Sequence, residues 1–147
     1  MDHSLFFREW TWDGRGEYID HVRRSILFEG VVNTFHEGDL WYHAGRMTLT
    51  PREGAPVSFE NRYEIVPFKI GKPETTWMSL NLDLGILNGR FVVVERAILS
   101  FCRSENGLFT GYETFVQVDR DRYETWGTLF REKERISSWT LKLIRKG

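Results

Sequence analysis

The sequence predicts an all-β fold, an up-and-down antiparallel barrel of about eight to ten strands. Three observations carry that prediction. Runs of about ten residues alternate apolar and polar side chains, the period of a strand with one face turned inward. The polar breaks between runs are short and hold Gly, Asn and Asp, which suits hairpins and leaves no room for crossover connections. Aromatic residues make up 15% of the chain, with 11 Phe, six Trp and five Tyr, and such side chains favour pleated surfaces. So many consecutive strands close into a barrel or stack in two layers, because an open sheet leaves its edges exposed.

Taken in order, Trp10 to Tyr18 opens the strand series, followed by Ser25 to Phe35 and Leu40 to Thr50. Val57 to Val66 is the clearest run: Val57, Phe59, Asn61, Tyr63 and Ile65 alternate with Ser58, Glu60, Arg62 and Glu64. Thr75 to Leu84, Arg90 to Cys102, Leu108 to Val118 and Arg122 to Phe130 follow, the second of them apolar on both faces. Asn88-Gly89 is expected to be a hairpin turn, since both residues tolerate positive φ. Glu37-Gly38-Asp39, Asn106-Gly107 and Asp119-Arg120-Asp121 are further turns, and Pro51 to Pro56 and Pro67 to Pro73 are longer connections. Residues 2–9 suit a short helix or a lid. In residues 131–146, Trp139, Leu141 and Leu143 alternate as in a strand, the preferred reading. Ile136, Trp139, Thr140 and Leu143 also fall at helical spacing, and a helix there would make an α+β helix-grip domain.

The 147 residues are read as one domain spanning 1–147, with 41% hydrophobic and 28% charged residues. Twenty basic against 21 acidic side chains leave a net charge of -1, which argues against nucleic acid as a partner. One cysteine, Cys102, excludes an intrachain disulfide and a multi-cysteine metal site; it ends an apolar run and is read as a buried structural thiol. No apolar run approaches the roughly 18 residues of a membrane span, and Met1 to Phe7 lacks the order of a signal peptide, so a cytoplasmic location is expected. No Gly-x-Ser-x-Gly elbow and no phosphate-binding glycine loop is present. His36 and His43 flank the Glu37-Gly38-Asp39 turn, where polar residues serve solubility. No metal and no cofactor is expected.

Trp10-Thr11-Trp12-Asp13-Gly14-Arg15-Gly16-Glu17-Tyr18 resembles the opening strand of calycin-type barrels, a group that includes lipocalins, nitrobindin-like proteins and bilin lyases. Aligned on Trp12, the chain supplies the Trp and two spaced glycines of that pattern, with Trp10 where the first glycine belongs. Tyr123 to Gly127, followed by a turn and a final strand carrying a Trp, resembles the ending of the same group. The resemblance implies an up-and-down calycin-like barrel holding a small molecule. The nitrobindin-like proteins resemble haem binders with a histidine near the chain end. Here His3, His21, His36 and His43 all lie in the first third, and haem is not expected.

Polar side chains on otherwise apolar faces mark the candidate pocket, because pockets are mostly apolar with a few polar groups fixing orientation. Asn61 and Tyr63 share a face with Phe59. Glu95 shares one with Phe91, Val93, Ala97, Leu99 and Phe101, and Arg96 falls on the opposite, equally apolar face with Val92, Val94 and Ile98. The expected ligand-binding residues are Phe59, Asn61, Tyr63, Phe91, Val93 and Glu95, and the expected ligand is a small apolar or aromatic molecule. No residue is assigned a catalytic role. The alternative is an isomerase, cyclase or lyase using Glu95 as acid or base with Tyr63, Asn61 or Arg96 orienting. Glu95 and Arg96 also suit a strand end or structural ion pairs. The apolar outer stripe left by Arg90 to Cys102 points to a homodimer, unless Leu5 to Trp10 covers it.

Overall fold

The computed structural model describes residues 2–147. Among them ten strands form: β1 (Thr11–Ile19), β2 (Ser25–Glu37), β3 (Leu40–Thr50), β4 (Val57–Ile65), β5 (Glu74–Asn81), β6 (Gly85–Val94), β7 (Ala97–Ser104), β8 (Phe109–Asp119), β9 (Arg122–Arg131) and β10 (Glu134–Arg145). Each pairs antiparallel with the next, and β1 pairs with β10 from Trp12–Arg145 to Ile19–Ser138, closing an up-and-down barrel. Within 131–146, Glu134–Arg145 is therefore strand, entered from a turn at 132–133. A register shift between Arg135 and Ser137 sets its phase, after which Ser137, Leu141 and Leu143 are buried. No described helix is long and apolar enough to cross a membrane.

Two expectations about the middle of the chain need correction. Asn88-Gly89 is not a turn but the centre of β6, paired with Met78 and Trp77 of β5. Glycine is required there because the Trp77 indole lies flat over it, where a Cβ would stand. The turn falls at residues 82–84, where the Asn81 side chain accepts the amides of Asp83 (2.8 Å) and Leu84 (2.9 Å). Nor is Arg90 to Cys102 one strand. It turns at Glu95-Arg96, with Glu95 in the left-handed region at φ 52. The two-residue turn reverses the phase, so Phe91 and Ile98 are both buried while Val94, Leu99 and Phe101 face solvent.

Glycines on the inner face make room for large neighbours. Trp139 of β10 covers its pairing partner Gly127 of β9 just as Trp77 covers Gly89, and Cys102 Sγ lies against Gly111. Each pair exchanges a side chain's width on one strand for an aromatic or thiol reaching inward from the next. Even so, ten strands enclose more space than eight, and eight already leave a lumen only just filled by side chains.

The N-terminal segment supplies the missing volume at one end. Leu5 and Phe6 are fully buried, and the Phe6 ring stacks on Phe91 (centroids 4.4 Å) with its neighbours Phe115 (5.3 Å) and His43 (4.8 Å) set edge-on. The segment is thus a plug built from turns, and the expected lid lies at this end of the barrel. It does not cover the outer apolar stripe. Replacing Gly89 by Ala is expected to cost about 1–3 kcal/mol, the usual penalty of overpacking, because the Trp77 indole must leave its place. Urea unfolding checks this; an unchanged midpoint would contradict the packing described.

Candidate functional site

Inward side chains change character along the barrel axis. At the plugged end they are buried: Trp12, Val32, Phe91, Phe115 and Tyr123. Towards the opposite end Tyr18, Leu49, Phe59, Leu87 and Leu129 are only half-buried, and Asn61 is exposed although its strand parity turns it inward. The wall is also less complete there, since β4 and β5 pair only through Glu64–Met78 and Ile65–Trp77. Residues 57–63 of β4 consequently have no ladder on that side, and Phe59 and Asn61 keep part of their surface exposed.

Glu113 of β8 forms the floor of this cup. Strand alternation places it inward with Gly111, Phe115 and Gln117. Tyr63, reaching across the lumen from β4, donates its hydroxyl to Glu113 Oε1 (3.1 Å), and Trp139 of β10 donates Nε1–H to Oε2 (2.8 Å). Three strands remote in sequence are thereby joined through one carboxyl group. Burial pushes the Glu113 carboxyl up to about 7, with the Trp139 and Tyr63 hydrogen bonds opposing that rise. Near neutrality the group therefore exists in both protonation states, one an acceptor only and one able to donate. Burial raises the Tyr63 hydroxyl well above its usual value, helped by the nearby Glu113 charge, and so keeps it a neutral donor. The Cys102 thiol is pushed up to about 11 by burial and stays protonated.

Below the carboxyl, the Tyr63 ring stacks on His43 (6.0 Å, 3° between planes) and tilts against Trp77 (4.6 Å). Trp77 Nε1–H donates to Ser100 Oγ (3.2 Å). Above it, Phe28 and Phe59 stack at 6.1 Å, and Tyr18 meets Phe28 edge-on. The cup is thus aromatic-walled with a single acid at its base. An apolar ligand would be desolvated by the walls and oriented by one strong hydrogen bond.

The predicted site residues divide. Phe59, Asn61 and Tyr63 of β4 line the open cup, and Tyr63 is bonded to its acid. Phe91 lies beneath the Phe6 ring and meets the Tyr63 ring edge-on at 6.0 Å, so it adjoins the cup from below, whereas Val93 lies further towards the plugged end. Glu95 is set apart altogether. Its side chain is exposed on the β6–β7 turn, and its backbone carbonyl accepts His3 Nε2–H at 2.7 Å. Arg96 donates to the carbonyl of Gln117 from Nε (3.1 Å) and Nη2 (2.9 Å), a structural clamp on β8. Glu113 was not among the predicted residues, although it sits in the alternation of Phe109, Gly111, Phe115 and Gln117 that the same sequence displays. A carboxylate within that apolar series was the available signal.

No protein-family model matches the sequence, and no curated protein matches it. Among solved structures, the chain is similar in fold to the S-type phycobiliprotein lyase CPES from Guillardia theta. The two share 5% sequence identity, with 94% of this chain and 88% of that chain covered at a TM-score of 0.68. At that identity the likeness concerns the fold alone, a closed up-and-down antiparallel barrel.

Proposed function

We propose that this protein binds a small, largely apolar or aromatic molecule in the open cup, with Glu113 receiving an N–H or cationic group of the ligand. The observation that carries this reading is the Glu113 carboxyl, on a half-buried side chain among aromatic rings and held by Tyr63 and Trp139. A buried acid needs a partner for its charge, and one held by only two neutral donors retains capacity for a third. The likeness to a phycobiliprotein lyase makes a linear tetrapyrrole, which is flat, conjugated and rich in N–H groups, a sensible first ligand. An enzyme in the same cup is the second reading. A carboxyl near 7 is suited to proton transfer at neutral pH, and Glu113, not Glu95, would be its acid or base.

Binding is tested with two probes, biliverdin and the uncharged dye Nile red, followed through a tryptophan introduced as Phe59→Trp. Glu113→Gln is expected to weaken biliverdin about tenfold, in line with loss of a charge-assisted hydrogen bond, and to leave Nile red nearly unchanged. Failure of both probes to enter the cup would refute the binding reading. Equal biliverdin affinity in the variant would remove Glu113 from it.

The same variant has a stability signature. A carboxyl raised from 4.5 to about 7 in the folded state costs nothing below 4.5, where folded and unfolded chains are both protonated. The cost grows as pH rises to about 7, because the unfolded chain ionises first. Glu113→Gln removes it. Between pH 5 and pH 8 the variant should gain about 1–3 kcal/mol on the wild type in urea unfolding, the range allowing for solvent access at the cup. A difference independent of pH would mean an ordinary surface-like carboxyl.

A second copy of the chain against the outer stripe belongs to the same reading. Val94, Leu99, Phe101, Tyr112 and Trp126 are exposed on neighbouring strands, and none is covered by the N-terminal segment. Sedimentation equilibrium at micromolar concentration is expected to give a dimer; a 17.4 kDa species would contradict it.

A further inference from the structure

We propose that the segment from Asp2 to Phe6 is a proton-operated plug, released from its end of the barrel when His3 is protonated while the ten strands stay paired. The inference is independent of what the open cup binds. It rests on how the segment is held. His3 Nε2–H donates to the Glu95 carbonyl (2.7 Å), so the neutral ring must accept at Nδ1, and the Tyr123 hydroxyl donates there at 2.8 Å. The same phenol oxygen accepts the Ser4 amide (3.0 Å), and Ser4 Oγ–H donates to the Arg120 carbonyl (2.7 Å). One imidazole in one tautomer thus ties the segment to the β6–β7 turn and to β9.

A proton added at Nδ1 sets an N–H against the hydroxyl that had been donating. The phenol must turn round, and its own hydrogen loses its acceptor. The imidazolium would also lie in a buried place with Arg96 and Arg120 on the flanking turns; Asp2, Glu95, Asp119 and Asp121 are carboxylates at that end, with Asp119 already paired to Arg122 and Asp121 to Arg145. Burial already holds His3 below its usual value of 6.5, outweighing the Glu95 carbonyl that favours the charged ring. The plugged state is therefore fully favoured above 6.5 and loses stability as pH falls below it.

The other two histidines at the plug do not act as triggers in this range. His36 Nε2–H donates to the Phe6 carbonyl at 3.0 Å, and protonation of its free Nδ1 leaves that bond intact. His43, bonded through Thr34 to the Leu5 carbonyl, is lowered to about 3 by burial and stays neutral until much stronger acid. Of the three histidines, His3 is thus the one whose protonation breaks a bond that holds the plug.

Hydrogen–deuterium exchange of the full chain tests this at pH 7.5 and pH 5.0, with intrinsic rates corrected for pH. Peptides covering residues 2–9 should lose protection severalfold at pH 5.0, while those from β3, β8 and β9 keep theirs. His3→Gln, which cannot titrate, should abolish the difference between the two pH values, and His36→Gln should retain it. Equal plug protection at both pH values, an undiminished pH response in His3→Gln, or simultaneous loss of protection in the strands would each overturn the proposal.

Discussion

Ten strands closed into one ring enclose more space than their own inward side chains readily fill, and much of this molecule answers that constraint. An empty lumen forfeits dispersion contacts on every lining atom, while a flooded one leaves apolar surface in water. The chain resolves this differently at its two ends. Leu5 and Phe6 enter one end and complete a dry aromatic core with Phe91 and Phe115. In the middle, Trp77 and Trp139 reach inward over glycines that would otherwise thin the wall. Towards the other end the inward side chains Tyr18, Leu49, Phe59, Leu87 and Leu129 keep part of their surface exposed.

Glu113 lies where the dry and wet halves meet. A carboxyl deeper among Phe6, Phe91 and Phe115 would find no donors, and one at the rim would be an ordinary hydrated acid. At the boundary it is held by Tyr63 from β4 and Trp139 from β10, and each of these is positioned by packing. Tyr63 leans on Trp77 and His43; Trp139 lies on Gly127. The perturbed acid is therefore a consequence of how the lumen is packed, which is the kind of arrangement from which binding and proton-transfer sites are made.

The barrel and its strand order were legible because alternation and turn spacing are strong local signals. The face of β4 with Phe59, Asn61 and Tyr63 was read from five alternating residues, and the structure places those three side chains in the cup. What was not legible follows from turns whose residues conceal them. Glu95 adopts φ 52 and Glu132 φ 53, a left-handed conformation that a side chain of this kind adopts at a cost of about 1–2 kcal/mol. No sequence rule flags Glu-Arg as a hairpin turn, whereas Asn88-Gly89 satisfies every rule and is strand. The glycine there serves the Trp77 indole, a contact between strands that local spacing does not encode. Once Glu95 is read as lying mid-strand, it draws attention from Glu113, whose own alternation is equally clear. The role of the N-terminal segment is tertiary in the same sense, since nothing local requires Leu5 and Phe6 to enter a barrel end.

On the proposed reading, Glu113 is both the lumen's buried acid and the ligand's polar anchor. The most direct test of that reading is the carbon-13 signal of the Glu113 carboxyl, followed through a pH titration with and without saturating biliverdin. A midpoint near 7 is expected in the free protein, with a clear displacement of that midpoint when the ligand is bound. A midpoint near 4.5, or a midpoint unmoved by a ligand shown to be bound, would contradict it.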